Sequence, residues 1–418
     1  MLSGTKSGWQ NLYVDVMEST LHAPAGRFRI GGESRNSTTL AALVKHGKNQ
    51  TRDMNGVRTA RIHEMRTAQP DDLTRTTIMI STLLKLVYRL SHTAKWRHNE
   101  RLWPHARIER DAMGVIERFT WRGRHVPLAR RAELQRLRRL PCHIIASGPS
   151  IADIDYEALP MHHVMGVNGA IALADRAPVK FNFYCILDAG FVRQRPDLAR
   201  RIVARDLVLF VTPVVLARLL EMFPSSAFGC RFYLVDDIFK RGMEAASTPE
   251  VLRANARVAS SAAFAGERGR LGFSFDIDNG FFHGGTVAYF ALQVATWLGF
   301  TEMYLHGVDL RDAAQTPRFY ETMQTRAPTR LDAEFAGLIE PSFRHAAEVL
   351  RARGVRVENL SQVSALGEDI FEKVDWRSLR RRNLSLVVPD EAVPAMSAGS
   401  AAIEATLSAR PTGTHGHA

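Results

Sequence analysis

At 418 residues the chain is close to three times the usual domain size of about 150, so one large or two modest domains with tails are expected. Apolar residues at 45% and charged residues at 23% describe an ordinary globular protein and exclude a collagen, a wholly disordered chain and a polytopic membrane protein. Lys and Arg number 55 against 43 Asp and Glu, a formal charge of +12, which favours an anionic partner without choosing among nucleic acid, acidic lipid and a phosphorylated ligand. Cys142, Cys185 and Cys230 each sit in an apolar stretch without metal-type spacing, which argues for a reducing compartment and against a zinc site or a disulfide framework. No run approaches the roughly 18 apolar residues of a membrane span, and the start lacks the order of a secretion signal, so the expected location is cytoplasmic.

Residues 1–75 are rich in Thr, Arg, Gly, Asn and His and poor in apolar period; they read as disordered, or as sequence upstream of the true start. From Ile78 to Leu90 the spacing predicts a helix with Leu83, Leu86, Val87 and Leu90 on one face, too short to span a bilayer. Lys95 to Arg139 carries twelve arginines against five carboxylates, with Trp96, Trp103 and Trp121 interspersed. Residues 76–140 therefore read as a basic amphipathic helical region, suited to docking on an anionic leaflet, although nucleic acid could read the same stripe.

Between 141 and 375 short apolar runs alternate with amphipathic stretches, the pattern of a doubly wound, Rossmann-like, mostly parallel α/β sheet. Strands are predicted at 143–146, 163–167, 181–186, 207–211, 231–235, 302–306 and 355–359, with helices clearest at 286–298 and 342–353. Residues 376–418 read as a mostly disordered tail.

Site signals fall where predicted strands end, the position at which open α/β sheets bind ligands. Ser147-Gly148-Pro149-Ser150 is a small-residue turn after a strand, neither GxGxxG nor a Walker A loop, with amides after Gly148 that a phosphate would suit; such a turn also ends strands that bind nothing. Asn168-Gly169 offers a short amide, and Asp188 a carboxylate for a ribose hydroxyl, a metal or an acceptor proton. His283-Gly284-Gly285-Thr286 opens an apolar helix as a second anion cradle without lysine. Tyr304-Leu305-His306-Gly307-Val308-Asp309-Leu310-Arg311 ends a strand in His, Asp and Arg together.

The order of these motifs, closed by Glu358-Asn359-Leu360-Ser361, resembles bacterial CMP-sialic-acid-dependent sialyltransferases and lipopolysaccharide-core Kdo transferases, and is similar to the motility-accessory and hydroxymethylpterin-pyrophosphokinase-like group, over about residues 141–365. The resemblance implies nucleotide contact for Ser147, Gly148, Pro149, Ser150, Asn168, Gly284, Gly285 and Thr286, with Asp188 near the donor. The family's general base is a histidine ahead of the helix that leads to the last strand, and no histidine occurs in 330–342. Asp332, Glu334 and Glu340 stand in that window and Asp309 and His306 at the preceding strand end; Asp309 and Glu340 are favoured.

The expected activity is an inverting, CMP-sugar-dependent glycosyltransferase that moves a 2-keto-3-deoxy acid sugar, Kdo or a sialic-acid-like one, onto a lipopolysaccharide core or related glycan. Arg311 would hold the sugar carboxylate. No required cofactor is expected, magnesium being admitted; no metal site and no nucleic-acid partner are expected, and the enzyme would sit at the cytoplasmic face of the inner membrane. The rivals are an ATP- and magnesium-dependent pyrophosphokinase using Asp188 and Asp309, and a noncatalytic nucleic-acid-binding protein using the arginine-rich stretch.

Overall fold

The computed structural model describes residues 84–134, 140–266 and 269–384. The expectations for 1–75, for Leu83 and for the tail beyond 384 lie outside them. Among the described residues, eight parallel strands form one sheet. They are β4 (Cys142–Ile145), β5 (His163–Val167), β6 (Phe183–Ile186), β7 (Val208–Val211), β8 (Arg231–Leu234), β11 (Glu302–His306), β12 (Arg356–Asn359) and β13 (Glu372–Lys373). Their order is β13-β12-β11-β4-β5-β6-β7-β8, so the chain steps outward from β4 to β8 and then returns to the other side of β4. All seven predicted strands are present, and β9 (Ala262–Phe264) and β10 (Gly272–Ser274) form a separate antiparallel pair.

These runs are apolar throughout because both faces of the sheet are covered. Successive side chains point to opposite faces, so Ile145, Tyr184, Leu209, Val211 and Phe232 enter one core while Ile144, Phe183, Cys185, Phe210 and Met303 enter the other. The first core is closed by α1 (Ala189–Gln194), α2 (Pro196–Val203) and α3 (Pro213–Met222), the second by α4 (Val287–Leu298) and α5 (Glu340–Ala352). The α4 helix starts at its Thr286 cap, whose hydroxyl accepts from the Tyr289 amide at 3.1 Å, and stops at Gly299 in the left-handed region. Cys142, Cys185 and Cys230 are fully buried and free, each thiol pushed up by burial.

The helical expectation for 76–140 is corrected. Residues 84–91 are helical, but 106–126 form a three-stranded antiparallel sheet, β1 (Ala106–Arg110), β2 (Ile116–Trp121) and β3 (Arg124–Val126). Arg122 and Gly123 both have positive φ, 49° and 76°, between paired Trp121 and Arg124, the conformation of a two-residue hairpin turn. Part of the basic charge here is paired within the protein: Arg110 pairs with Asp236 and Glu244, both at 2.7 Å, and Arg131 with Asp278 at 2.9 Å. Trp121 is buried and Trp96 and Trp103 are half-buried, so the tryptophans pack on the body. The ordered domain also runs past 375 into α6 (Trp376–Leu384), where Leu379 is fully buried and Trp376 Nε1 donates to Asp153 O at 3.0 Å.

Candidate active site

The direction of winding reverses between β4 and β11, and a cavity of about 540 Å³ opens beyond the carboxyl ends of these strands and their neighbours. Ala146 to Pro149 line it from β4, Val167 and Asn168 from β5, Leu187 and Asp188 from β6, and Gly307 to Arg311 from β11. Further walls come from His283 and the start of α4 and from parts of the segment 313–334.

The ends of β4 and β11 are laced together by backbone bonds, Ala146 N to His306 O at 2.8 Å and Gly148 N to Gly307 O at 2.9 Å. Asp309 completes the join. Its carboxylate accepts from the Ser150 amide at 2.9 Å, from the Ser150 hydroxyl, and from the Ser361 hydroxyl at 2.5 Å, which is the role found for the Glu358-Asn359-Leu360-Ser361 motif. Gly148 is required by this packing, since a Cβ there would lie 2.4 Å from Asp309 Oδ2 and 2.6 Å from Gly307 O. The expected phosphate cradle after Gly148 is therefore corrected: Pro149 has no N–H, and the Ser150 amide is taken by Asp309.

Asn168 sits in the left-handed region, φ 45°, and is positioned by a ring that sequence reasoning missed. Tyr184 lies across Gly166, where a Cβ would come within 2.2 Å of the ring, and its hydroxyl donates to Asn168 O and accepts from Ile171 N, both at 2.7 Å. Asn168 Oδ1 is buried with no hydrogen-bond partner. Tyr320 covers the next residue so closely that a Cβ on Gly169 would meet it at 2.0 Å, and Phe319 N donates to Ser147 O at 3.2 Å. The 313–334 segment is thus stitched to both loops. Its anchor is Glu321, which accepts from Arg195 at 2.6 Å and pairs with Arg318 at 3.2 Å. Burial pushes the Glu321 carboxyl up, but the Arg195 hydrogen bond and the Arg318 charge outweigh it and hold it below its usual value.

Of the predicted site residues, Ser147, Gly148, Pro149, Asn168, Asp188, Gly285, Thr286, Asp309 and Arg311 meet at this cavity. Ser150 and Gly284 are buried behind the loops they shape. Glu340 is outside the lining and pairs with Arg344 at 2.8 Å; Asp332 holds the amides of Ala313 and Ala314 at 2.9 and 2.7 Å, while Glu334 does line the cavity. His306 is fully buried in an interior chain, with Tyr156 Oη at 3.2 Å from Nδ1 and His143 Nδ1 at 3.0 Å from Nε2. Burial holds the Tyr156 phenol protonated, and the tautomer of His306 sets which partner donates in each of these two contacts. Burial pushes His306 down to about 3 and His143 well below its ordinary value, so both imidazoles are neutral. Sequence reasoning quoted His283 within a motif but gave it no role, and missed Arg318 and Arg330, which also line the cavity.

A doubly wound sheet with a cavity at its reversal point is the arrangement in which open α/β proteins bind ligands, against strand-end loops and a helix start. More narrowly, residues 129–376 match the 3-deoxy-D-manno-octulosonic acid transferase WaaZ family, more than half of the chain, and the protein belongs to that family. It is a glycosyltransferase for acidic sugars. A Salmonella typhimurium protein described as a probable 3-deoxy-manno-octulosonic acid transferase is 24% identical over 240 residues, covering 55% of this chain and 85% of that one. Among solved structures, the MAf glycosyltransferase from Magnetospirillum magneticum AMB-1 aligns at 15% identity and TM-score 0.35, over 60% of this chain and 38% of that one. The sialyltransferase CstII from Campylobacter jejuni, solved with cytidine-5'-monophosphate, aligns at 16% identity and TM-score 0.33, over 57% of this chain and 88% of that one.

Proposed function

We propose that the enzyme transfers 3-deoxy-D-manno-octulosonic acid, or a closely similar acid sugar, from its CMP-activated form to a lipopolysaccharide-core glycan with inversion at the anomeric carbon. The observation that carries this reading is the convergence of Ser147, Asn168, Asp188 and Thr286 on one cavity. In this reading Asn168 Oδ1 accepts an N–H or O–H of the nucleoside. The phosphate lies at the start of α4, where the amides ahead of Tyr289 lack an intrahelical acceptor. Arg311 grips the sugar carboxylate through two parallel bonds. As the bond to the CMP oxygen lengthens, positive charge develops at the sugar, and the departing phosphate is stabilised by groups already in place. Such a reaction needs no resident cofactor.

CMP is expected to raise the melting temperature of the protein, whereas ATP with magnesium is not. A ligand at a hundred times its Kd adds about 2.7 kcal/mol of stability to the form that binds it. Stabilisation by ATP and magnesium alone would instead favour a pyrophosphokinase. In a deletion strain, mass spectrometry of the lipopolysaccharide core is expected to show the loss of one acidic sugar.

We further propose that the enzyme works at the anionic inner leaflet. Helix 84–91 turns Leu86, Val87 and Leu90 outward at 53%, 39% and 80% exposure while Tyr88 faces inward, so among the described residues an apolar stripe stands uncovered beside Lys85 and Arg89. The exposed Arg97 and Arg101 follow in the chain, and each basic residue near an acidic surface contributes about 1 kcal/mol. Binding to acidic vesicles should weaken with salt, and replacing Leu86 and Leu90 by Asp should abolish it while sparing turnover of a soluble acceptor. Equal binding to neutral and acidic vesicles would count against the idea.

A further inference from the structure

We infer that His283 is the general base that takes the proton of the acceptor hydroxyl. The inference rests on the transfer reaction proposed above and adds to it the group that the window 330–342 fails to supply. An acceptor hydroxyl becomes nucleophilic enough only if a neighbouring group removes its proton as the new bond forms. His283 is the only histidine that lines the cavity among the described residues. The charged groups facing the same space are Asp188, Asp309, Arg311, Arg318, Arg330 and Glu334. The carboxylates among them are engaged. Asp309 accepts three hydrogen bonds, Glu334 pairs with Arg330 at 3.2 Å, and Asp188 caps α1 through the Gly190 amide at 2.6 Å.

The surroundings of His283 add a second, independent observation. It is exposed within a run whose neighbours are buried: Phe281 and Phe282 are each 1% exposed and Thr286 8%. Its backbone is clamped from both sides. The fully buried Gln293 accepts from Phe282 N at 3.0 Å and donates to Phe282 O at 2.8 Å. Beyond it, Gly284 and Gly285 have φ of 53° and 77°, and added Cβ atoms would lie 2.1 Å from Tyr289 Cδ1 and 2.6 Å from Ile339 Cγ1. A histidine that lines the cavity from a backbone held on both sides returns to the same place in each turnover, where it can take a proton from a bound acceptor. Packing alone gives no reason for an exposed histidine here.

The acceptor oxygen forms a bond to the anomeric carbon, the bond from that carbon to the CMP phosphate oxygen breaks, and CMP leaves with the electron pair. The hydroxyl proton passes to an unprotonated ring nitrogen of His283, which later releases it to solvent.

The test uses the full-length enzyme with a CMP-activated acid sugar and an acceptor glycan. His283→Gln should lower kcat/KM about 10²- to 10⁴-fold, the usual worth of a positioned general base, while CMP raises the melting temperature as in the wild type. The acidic limb of the wild-type pH profile should disappear in this variant, and free imidazole should restore turnover to His283→Ala. A His283→Gln enzyme that loses less than about tenfold, or one that keeps the acidic limb, overturns the assignment. So does an Asp188→Asn enzyme that loses transfer while the His283 variants retain it. If the wild type binds CMP yet moves no acid sugar, the transfer reaction fails and the base with it. If only the His283 variants behave otherwise than stated, the transfer reaction stands and the base lies elsewhere.

Discussion

Gly148→Ala is expected to lower kcat/KM about 100-fold and to destabilise the fold by about 1–3 kcal/mol. The added methyl would stand 2.4 Å from Asp309 Oδ2 and 2.6 Å from Gly307 O, and neither is the free end of a flexible chain. Asp309 is tied to Ser150 and Ser361, and Gly307 O already receives the Gly148 amide. Relief therefore requires the whole loop to move toward the cavity, where Ser147 and Pro149 form the wall. Steady-state kinetics and chemical denaturation measure the two effects. Asp309→Asn separates clasp from base. An Asn with its oxygen on the Ser150 amide would turn its NH2 to the two serine hydroxyls, which must then rotate to accept, and the charge that strengthens all three bonds is gone, so the loop should loosen and CMP binding should fall along with turnover. Unchanged CMP binding with a large loss of kcat would mark Asp309 as the base instead.

Stability should fall steeply below about pH 6.5, through histidines that the fold keeps neutral. Burial pushes His306 down to about 3 and His163 to about 4, the latter helped by the nearby His162, while His143 lies well below its ordinary value. A histidine whose folded pKa is depressed binds more protons when unfolded, so its contribution is complete above the unfolded value and is lost as pH drops toward the folded one. Within that window each such imidazole costs about 1.4 kcal/mol per pH unit. His306 and His163 between pH 6.5 and 5 amount to about 3–4 kcal/mol, a large part of the whole stability of many domains, and His143 acts in the same direction. Denaturation midpoints recorded across this range check it, and stability that stays flat from pH 7 to 5 would refute it. Glu321 adds a later step, because a carboxylate held low stabilises above its unfolded value and is lost as pH falls through the folded one.

The sheet was legible in the sequence because a strand covered on both faces is an uninterrupted apolar run, and seven such runs separated by amphipathic stretches leave little choice of fold class. The strand-end motifs could be read for the same reason: Gly148, Asn168 and Thr286 each interrupt an apolar pattern with a residue of special backbone or capping chemistry. Arg122-Gly123 was a hairpin signal that the density of arginine masked, so 106–126 was read as helix.

By itself, then, the amino-acid order determined a doubly wound sheet, its strands, and the loops able to hold a ligand, since these follow from period, propensity and turn chemistry along a few neighbouring residues. Only the tertiary structure decided which polar groups remain for chemistry. Asp309 and Ser361 lie in different strand-end loops, as do Asn168 and Tyr320, and whether a carboxylate or an amide is already satisfied depends on partners the chain brings together from far apart. That is why Asp309 and His306 looked equally suited to catalysis in the sequence, while the folded chain commits one to holding two loops, buries the other, and leaves His283 facing the cavity.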